Sequence, residues 1–385
     1  MKGKNMATPL VQPAMGYLVW TKCFPEFLSN ANLGKLLAIE TKLISDPKLQ
    51  QQKMAVENMA RELIKRGVNH IRTGISWTEW FYPGGKEWIR WYLPFLAEHF
   101  TILPNLTYTP PELGIEPRIN SPPRQPEMFG QFVSEVLFEF GNHFEYLELW
   151  NEPNLITDWD GSLDPDGTKF LNMFASGAKA CHAAGKKVVM GGPNTIGQWL
   201  ERACTLGILE HVDVFGMHGL RGTWEEKAPP PPWKERVSTM NRLLARYTDR
   251  DIRVWMTEYG FSTTNHTATG PHPKFDDELL EEIQAAVFVD ALQAVEAHDI
   301  ERVYWFTLYD MHLSEESVRK VTTGWEDVLQ HHFGDIRLDG KPKLLGKLLS
   351  EGGPAKVVEF VGENNLWHLA HVAIDRGDPG QSTTD

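Results

Sequence analysis

Short apolar runs alternate along the chain with longer segments in which apolar residues recur every three or four positions. The short runs are typical of strands buried on both faces of a parallel sheet, and the longer segments are typical of helices that cover such a sheet. Counting gives eight strand–helix units, which predict an α/β fold, a single (β/α)8 TIM barrel. The predicted strands cover residues 16–20, 70–77, 101–106, 146–150, 187–191, 212–217, 252–257 and 302–307.

The segments between these strands carry the helical pattern, as where Phe129 and Val136 belong to one apolar stripe. The predicted helices cover residues 47–66, 87–99, 126–141, 168–184, 195–207, 237–247, 276–295 and 343–350. Barrels of this length commonly form one unit, so we predict a single domain. It would have a flexible segment at residues 1–15, the barrel at 16–356, and a partly disordered C-terminal extension at 357–385.

Two of the predicted strands end in a glutamate. Residues 146–150 run into Asn151, Glu152 and a proline, which donates no backbone hydrogen bond and favours an extended residue before it, so the strand must finish here. The strand at 252–257 is followed in the same way by Glu258. A single glutamate beside a proline is more often a surface group in a turn. Two of them form a pair, and barrel enzymes keep their catalytic groups at the C-terminal ends of the strands.

These motifs, Trp-Asn-Glu-Pro-Asn at residues 150–154 and Thr-Glu-Tyr-Gly at residues 257–260, resemble those of clan A glycoside hydrolases, in particular family 39, the β-xylosidase-like group. The resemblance extends over roughly residues 16–350. It implies that Glu152, after strand four, is the acid/base and that Glu258, after strand seven, is the nucleophile. The implied enzyme is a retaining glycoside hydrolase that cleaves an oligo- or polysaccharide through a covalent glycosyl-enzyme intermediate.

The same resemblance implies roles for further residues. Arg72 is a charged residue within the second strand and matches an arginine that donates a hydrogen bond to the nucleophile. The alternative is that Arg72 forms a salt bridge at the bottom of the barrel. Asn151 would hold the 2-hydroxyl group of the sugar. Trp305 matches the tryptophan that forms the floor of the sugar subsite, with packing in the barrel core as the alternative. Tyr259, directly after the nucleophile, is a further candidate for substrate binding, but neighbours in an extended segment point to opposite faces, so it is a poor candidate for orienting Glu258.

The sequence departs from the family pattern at two places. The tyrosine that would orient the nucleophile is replaced by Leu220. After the proline pair that ends strand three, Glu112 and Leu113 stand where the family places an aromatic residue. We predict that His218, at the end of strand six, donates a hydrogen bond to Glu258 in place of the missing tyrosine; a purely structural histidine is the alternative.

The chain contains 14 tryptophans, which is more than a core of this size needs. Those at predicted strand ends or in loops are Trp20, Trp77, Trp80, Trp150, Trp159, Trp224 and Trp305. The flat C–H faces of sugar rings stack on indole rings, and the indole N–H can still donate a hydrogen bond. We therefore predict that Trp77 and Trp159 bind substrate, whereas packing between barrel and helices accounts for about half of the set.

With 38 basic and 51 acidic residues the formal net charge is −13, which argues against nucleic acid or an anionic membrane as a partner. Cys23, Cys181 and Cys204 have no metal-like spacing and are expected to be reduced thiols. No signal peptide or membrane span is recognisable, so we predict a cytoplasmic protein. No cofactor and no metal is expected, since His368 and His371 alone are weak evidence for a metal site. The oligomeric state is left open.

Two other functional classes are open to a barrel of this kind. A lyase or aldolase would need a lysine or metal ligands at the strand ends, and strands two to eight offer no such lysine. A non-catalytic or weakly active carbohydrate-binding barrel would keep the tryptophans but could dispense with one glutamate, whereas both are present. The sugar, the linkage and the choice between exo and endo action depend on loop shape, which the sequence does not determine.

Overall fold

A computed structural model of the protein describes residues 14–19, 47–82, 84–193, 197–222, 230–264, 266–267, 270–271, 275–310 and 332–372. The fold is organised around a parallel sheet that curves into a barrel. Seven strands lie side by side in chain order: β2 (His70–Ser76), β3 (Thr101–Thr107), β4 (Tyr146–Leu149), β5 (Lys187–Met190), β6 (Val214–Arg221), β7 (Arg253–Phe261) and β8 (Arg302–Trp305). The backbone of β1 (Ala14–Val19) pairs in parallel with β2 on one side and with β8 on the other. The predicted α/β class with a parallel barrel sheet is therefore confirmed.

Helices surround this sheet and bury its outer face. They are α1 (Pro47–Lys65), α2 (Trp77–Trp80), α3 (Gly85–Ala97), α4 (Glu127–Phe140), α5 (Thr168–Ala183), α6 (Gln198–Thr205), α7 (Trp233–Leu244), α8 (Asp277–Glu296) and α9 (Leu344–Glu363). Short 3-10 segments lie at Gly141–His143, Gly161–Leu163, Ile208–His211 and Trp367–His371, and a small antiparallel ladder joins His266–Thr267 to Gly270–Pro271. Within the described residues, every helix is too short or too polar to cross a membrane.

Two elements extend across the predicted domain boundaries. β1 begins at Ala14, inside the segment predicted to be flexible. Helix α9 continues past residue 356 to Glu363, with non-helical backbone at Gly352 and Gly353 between its two parts. The side chain of Val357 in the second part is buried in the main core. The start of the predicted C-terminal extension is thus packed on the barrel, because apolar residues continue the helical pattern there.

The lower half of the barrel is filled by side chains from alternate strand positions, as expected when every second residue points inward. This interior cluster consists of Leu103, Tyr146, Val189, Val214, Trp255 and Tyr304. Below it, the guanidinium group of Arg302 lies 4.2 Å from the ring centre of Trp255, and Arg253 donates a hydrogen bond of 2.8 Å to the hydroxyl group of Tyr146. Among the described residues, these side chains fill the interior near the start of the strands and leave its C-terminal end as the place for a ligand.

A buried ion pair joins the end of α1 to the segment before α9. Both oxygens of Asp335 accept hydrogen bonds of 2.8 Å from Arg66, and both side chains are fully buried. We predict that Asp335→Ala lowers the free energy of unfolding by about 3 kcal/mol, because it removes the fully buried partner of a buried guanidinium group, which keeps the partly exposed Glu62 as a second ionic partner. Urea denaturation measures this change.

The matched control is Asp339→Ala, in the same segment but in an exposed pair with Lys341. Exposed ion pairs contribute little to stability because water screens them, so this variant should unfold almost like the wild type. Equal losses in the two variants would mean that the buried pair contributes no more to stability than an exposed one.

Candidate active site

The chain turns sharply where β4 ends. Trp150 and Glu152 have φ angles of 66° and 36°, in the left-handed region that side chains other than glycine rarely occupy. The turn is held because the backbone nitrogen of Trp150 donates a hydrogen bond of 2.8 Å to Leu106 and Asn105 donates one of 2.6 Å to the carbonyl of Trp150. Glu152 is thus not in the extended conformation that we expected before a proline. The surrounding hydrogen bonds outweigh that local preference.

Glu258 faces the barrel interior because of a bulge in β7. Met217 of β6 lies opposite Met256, but the next residue, His218, lies opposite Glu258, so that Thr257 is an extra residue in β7. Strict alternation after the interior residue Trp255 would have turned Glu258 towards the helices. The bulge reverses the alternation and places Glu258 and His218 side by side inside the barrel.

Arg72 of β2 connects the polar groups of β4 and β7. Its Nη1 donates to Glu258 Oε1 at 2.7 Å, its Nη2 donates to Asn151 Oδ1 at 2.8 Å, and its Nε donates to Glu148. The side chains of Arg72 and Glu148 are completely buried. Burial would lower the pKa of Arg72, but the charges of Glu148 and Glu258 raise it above its ordinary value. Arg72 is therefore a permanent positive charge within the barrel, above the interior cluster.

Asn151 continues this network into the loop after β4. Its Nδ2 donates to Asp158 Oδ1 at 3.1 Å, and the hydroxyl group of Thr157 donates to Asp158 Oδ2 at 2.8 Å. Asp158 is almost completely buried. The amide of Asn151 is thus held between Arg72 on one side and Asp158 on the other.

The two glutamates meet at His218. The Nδ1 atom of His218 lies 2.7 Å from Glu152 Oε1 and 3.6 Å from Glu258 Oε2. One oxygen of each glutamate and a ring nitrogen of His218 all lie within 4.8 Å of one another. We predicted a hydrogen bond from His218 to Glu258, and this is wrong in its partner. The histidine lies opposite Glu258 in the strand register, but Glu152 reaches it more closely from the loop after β4.

Burial sets the protonation of these groups. It raises the pKa of Glu152 to about 7, although Arg72 lowers it. The pKa of Glu258 is also raised overall. Burial and the charge of Glu152 raise it, and these effects outweigh His218 and Arg72, which lower it. Burial lowers the pKa of His218 to about 4, so the imidazole is neutral at neutral pH. The main cause of the raised pKa of Glu152 is thus loss of hydration.

Three residues of the site were missed from the sequence. Glu148 has a pKa of about 7, raised by burial. The pKa of Asp158 is also about 7, raised by burial and by the charge of Glu152. Tyr108, with a φ angle of 69°, has its pKa raised well above the ordinary value by burial and by nearby carboxylates, so its phenol is protonated. A charge at an inward position of an apolar strand could have identified Glu148, because Arg72 on β2 offers the opposite charge.

Trp77 and Trp159 do not line the barrel mouth, contrary to prediction. Trp77 begins α2 and stacks on Phe132 of α4 with ring centres 5.7 Å apart. Trp159 packs edge to face on Trp150, at 5.3 Å, and on Phe170 of α5, at 5.2 Å. Both indoles are buried. They support the loops around the mouth from behind, where no sugar ring can reach them.

Trp305 and Tyr259 also point away from the interior. Because Tyr304 belongs to the interior cluster, the next residue faces outward, and Trp305 packs against Phe288 of α8 at 5.2 Å. Tyr259 follows the inward-facing Glu258 and packs against Trp233 of α7 at 4.7 Å. Both rings are completely buried. The predicted substrate contacts of these two residues are therefore wrong, whereas core packing, the alternative considered for Trp305, describes its environment.

Several predicted features lie outside the described residues. These are Trp20, Trp224, Cys23 and Pro229, the first residue of the proline run before α7. Leu220, which stands in place of the family tyrosine, is paired with Gly260 near the end of β6 and is partly exposed. The mouth has an apolar side chain at this position.

The described part of the chain brings together one group of possible metal ligands, which consists of Glu152, His218 and Glu258. The donor atoms suit a divalent cation in type. However, the guanidinium group of Arg72 lies 2.7 Å from Glu258, and this positive charge opposes a second cation beside the same carboxylate. The arrangement is better suited to moving protons than to holding a metal ion.

No protein-family model matches the sequence, and no curated protein matches it. Solved structures do resemble the fold. A family 39 glycoside hydrolase from the gut symbiont Bacteroides cellulosilyticus is 16% identical with a TM-score of 0.55, over 78% of this chain and 60% of that one. A family 39 β-xylosidase from Caulobacter crescentus is 15% identical with a TM-score of 0.54, over 90% of this chain and 72% of that one.

A family 39 enzyme from Xanthomonas axonopodis pv. citri is 14% identical with a TM-score of 0.52, over 88% of this chain and 69% of that one. At such low identity the similarity establishes the fold. The resemblance to family 39 that the two sequence motifs suggested is confirmed at this level. This chain is similar to a part of those enzymes, since it spans 60% of the length of the Bacteroides protein.

Proposed function

We propose that this protein is a retaining glycoside hydrolase built on a (β/α)8 barrel and that it acts on an oligo- or polysaccharide. The observation that carries the proposal is the carboxyl pair of Glu152 and Glu258, which have oxygens within 4.8 Å of each other at the C-terminal end of the barrel. The glycoside hydrolases among the structures of similar fold support it.

The spacing of the pair favours retention of configuration. Retaining enzymes keep their two carboxyl groups about 5 to 5.5 Å apart so that one can attack the sugar directly, whereas inverting enzymes leave about 6.5 to 9.5 Å for a water molecule. Glu152 and Glu258 bring one oxygen each within 4.8 Å of the other, which is closer to the spacing of retaining enzymes than to that of inverting enzymes and supports the proposal.

Glu258 is suited to be the nucleophile. Arg72 binds its Oε1 at 2.7 Å and favours the ionised form that attack requires. Its Oε2 faces His218 at 3.6 Å, which is too long for a good hydrogen bond, so this oxygen keeps a lone pair for the anomeric carbon. The side chain is only 6% exposed, so water competes poorly for it.

Glu152 is suited to be the acid/base. With a pKa of about 7 it can hold a proton in the resting enzyme and accept one later at a similar pH. Its side chain is 13% exposed, more than that of Glu258, as expected for a group that must reach a leaving group and then a water molecule. Neutral His218 holds it in position through Nδ1.

The proposed reaction has two steps. In the first, Glu258 Oε2 bonds to the anomeric carbon while the bond to the leaving oxygen breaks, and Glu152 gives its proton to that oxygen. In the second, Glu152 takes a proton from water, the water oxygen bonds to the anomeric carbon, and the ester to Glu258 breaks. Asn151 would hold the 2-hydroxyl group throughout, because hydrogen bonds to Arg72 and Asp158 already fix its amide.

A substrate screen tests this proposal. Wild-type protein and Glu258→Ala are incubated with aryl glycosides and bacterial polysaccharides, and the anomeric configuration of the first product is followed by proton NMR. We expect turnover of at least one substrate by the wild type, with retained configuration. An inverted product would contradict the mechanism, and sugar binding without turnover would favour the non-catalytic carbohydrate-binding barrel.

We predict that the value of kcat/KM falls as the pH rises above about 7. The acid form of Glu152 is the active one, and its pKa of about 7 means that it loses this proton on the alkaline side. At low pH activity should also fall, because Glu258 must be ionised and its pKa is raised. The measurement is a pH profile on an aryl glycoside with a poor leaving group.

The control for the alkaline side is Glu152→Ala on a dinitrophenyl glycoside, which needs no acid. Its profile should lack the alkaline fall and keep the acidic one. An alkaline fall that persists in this variant would assign it to another group.

A further inference from the structure

Asp158 is a buried acid six positions after Glu152, beside the proposed catalytic pair. The proposed reaction does not use its carboxyl group. Oδ1 accepts a hydrogen bond of 3.1 Å from Asn151 and Oδ2 accepts one of 2.8 Å from Thr157. Its backbone oxygen accepts a bond of 3.1 Å from the indole of Trp150. Both side-chain oxygens and the backbone are therefore held in one position.

The orientation of the Asn151 amide follows from its two partners. A guanidinium group can only donate, so the oxygen of the amide must face Arg72 and its nitrogen must face the other way. On that side Asp158 accepts one of the two N–H bonds. The remaining N–H is left for another acceptor.

We propose that Asp158 is a positioning residue that fixes the Asn151 amide so that its second N–H points to a hydroxyl group of the bound sugar. The inference rests on the proposed function, in which Asn151 holds the 2-hydroxyl group. A free amide would rotate about its terminal bond and lose part of that hydrogen bond to disorder. With Arg72 and Asp158 on opposite sides, the amide is oriented before the sugar arrives, so less ordering is needed on binding.

The experiment separates orientation from folding with three variants. Asp158→Ala removes the acceptor for Asn151. Asp158→Asn keeps the shape and an acceptor oxygen, since its own amide can turn the oxygen to Asn151 and the nitrogen to Thr157. Asp160→Ala is the matched control, because Asp160 is buried in the same loop but binds Arg118 and Ser162 instead.

Each variant is assayed on two aryl glycosides of the sugar that the wild type hydrolyses, one with the 2-hydroxyl group and one without it. For Asp158→Ala we expect kcat/KM to fall on the order of tenfold with the first and less than about twofold with the second. Asp158→Asn should restore the wild-type ratio between the two substrates. Asp160→Ala should lower the melting temperature and leave the ratio unchanged.

Equal losses of Asp158→Ala on both substrates would overturn the inference, because they would indicate a structural role. If this variant does not fold, Asp158→Leu replaces it, since leucine has the shape of asparagine but accepts no hydrogen bond. The inference would also be overturned if Asp158→Asn changed the ratio of kcat/KM between the two substrates as much as Asp158→Ala does. If the wild type hydrolyses no glycoside, the proposed function fails together with the inference. If the wild type is active but Asp158→Ala or Asp158→Leu leaves the ratio of kcat/KM between the two substrates unchanged, the inference alone is contradicted.

Discussion

Replacing Glu258 with alanine is expected to abolish hydrolysis of every glycoside that the wild type accepts, by at least a factor on the order of 10⁴. The methyl group cannot bond to the anomeric carbon, so no glycosyl-enzyme forms, whatever the leaving group. The measurement is the initial rate on a dinitrophenyl glycoside and on a natural-type oligosaccharide. Both rates should fall together, because the nucleophile is needed for both substrates.

Two further variants make this result specific. Glu258→Gln keeps the side-chain shape and an oxygen for the 2.7 Å contact with Arg72, so it should fold normally and still be inactive. Glu301→Ala removes a glutamate that pairs with Arg253 at the opposite end of the barrel, and its activity should remain close to that of the wild type. If Glu258→Ala hydrolysed dinitrophenyl glycosides as fast as the wild type, another group would have to be the nucleophile.

Replacing Glu152 with alanine is expected to give a different pattern. Glycosides with poor leaving groups should lose about 10²- to 10⁴-fold in rate, because the leaving oxygen then departs without a proton. Dinitrophenyl glycosides need no protonation, so they should form the glycosyl-enzyme at nearly the wild-type rate. They should then turn over slowly, since no base activates water in the second step. A fast first release of dinitrophenol followed by a slow steady state measures both effects.

Azide tests the geometry of this variant. With the carboxyl group of Glu152 removed, a small anion can approach the sugar bound to Glu258 and replace water without needing a base. We expect a faster steady state and a glycosyl azide of retained configuration. An azide product of inverted configuration would mean that the roles of the two glutamates are exchanged. Glu145→Ala, an exposed glutamate before β4, is the control that azide should not affect.

Much of the architecture could be predicted because it follows from local patterns. The strand predicted at residues 101–106 is β3, Thr101–Thr107, since an apolar run between two helical segments has few alternatives in a parallel sheet. Asn151, Glu152 and Glu258 could be assigned to one rim for the same reason. Parallel barrel strands all point the same way, so motifs far apart in the chain meet wherever strands end.

The direction of individual side chains could not be predicted in the same way. Tyr259 and Trp305 were expected at the sugar, but the bulge at Thr257 and the register between strands turn both towards the helices. Likewise the preference of the residue before a proline gave the wrong conformation for Glu152, because hydrogen bonds from β3 to the preceding turn hold it at a φ angle of 36°.

The sequence by itself determined the strand order, the rim on which the acids lie and the pairing of two glutamates, because periodicity and proline chemistry act over a few residues. Only the tertiary structure decided that His218 binds Glu152, that Asp158 holds Asn151, and that burial raises the pKa of Glu152 to about 7. Bulges, register and loss of hydration arise where segments distant in the chain pack together. A local pattern contains no information about which groups will exclude water from one another.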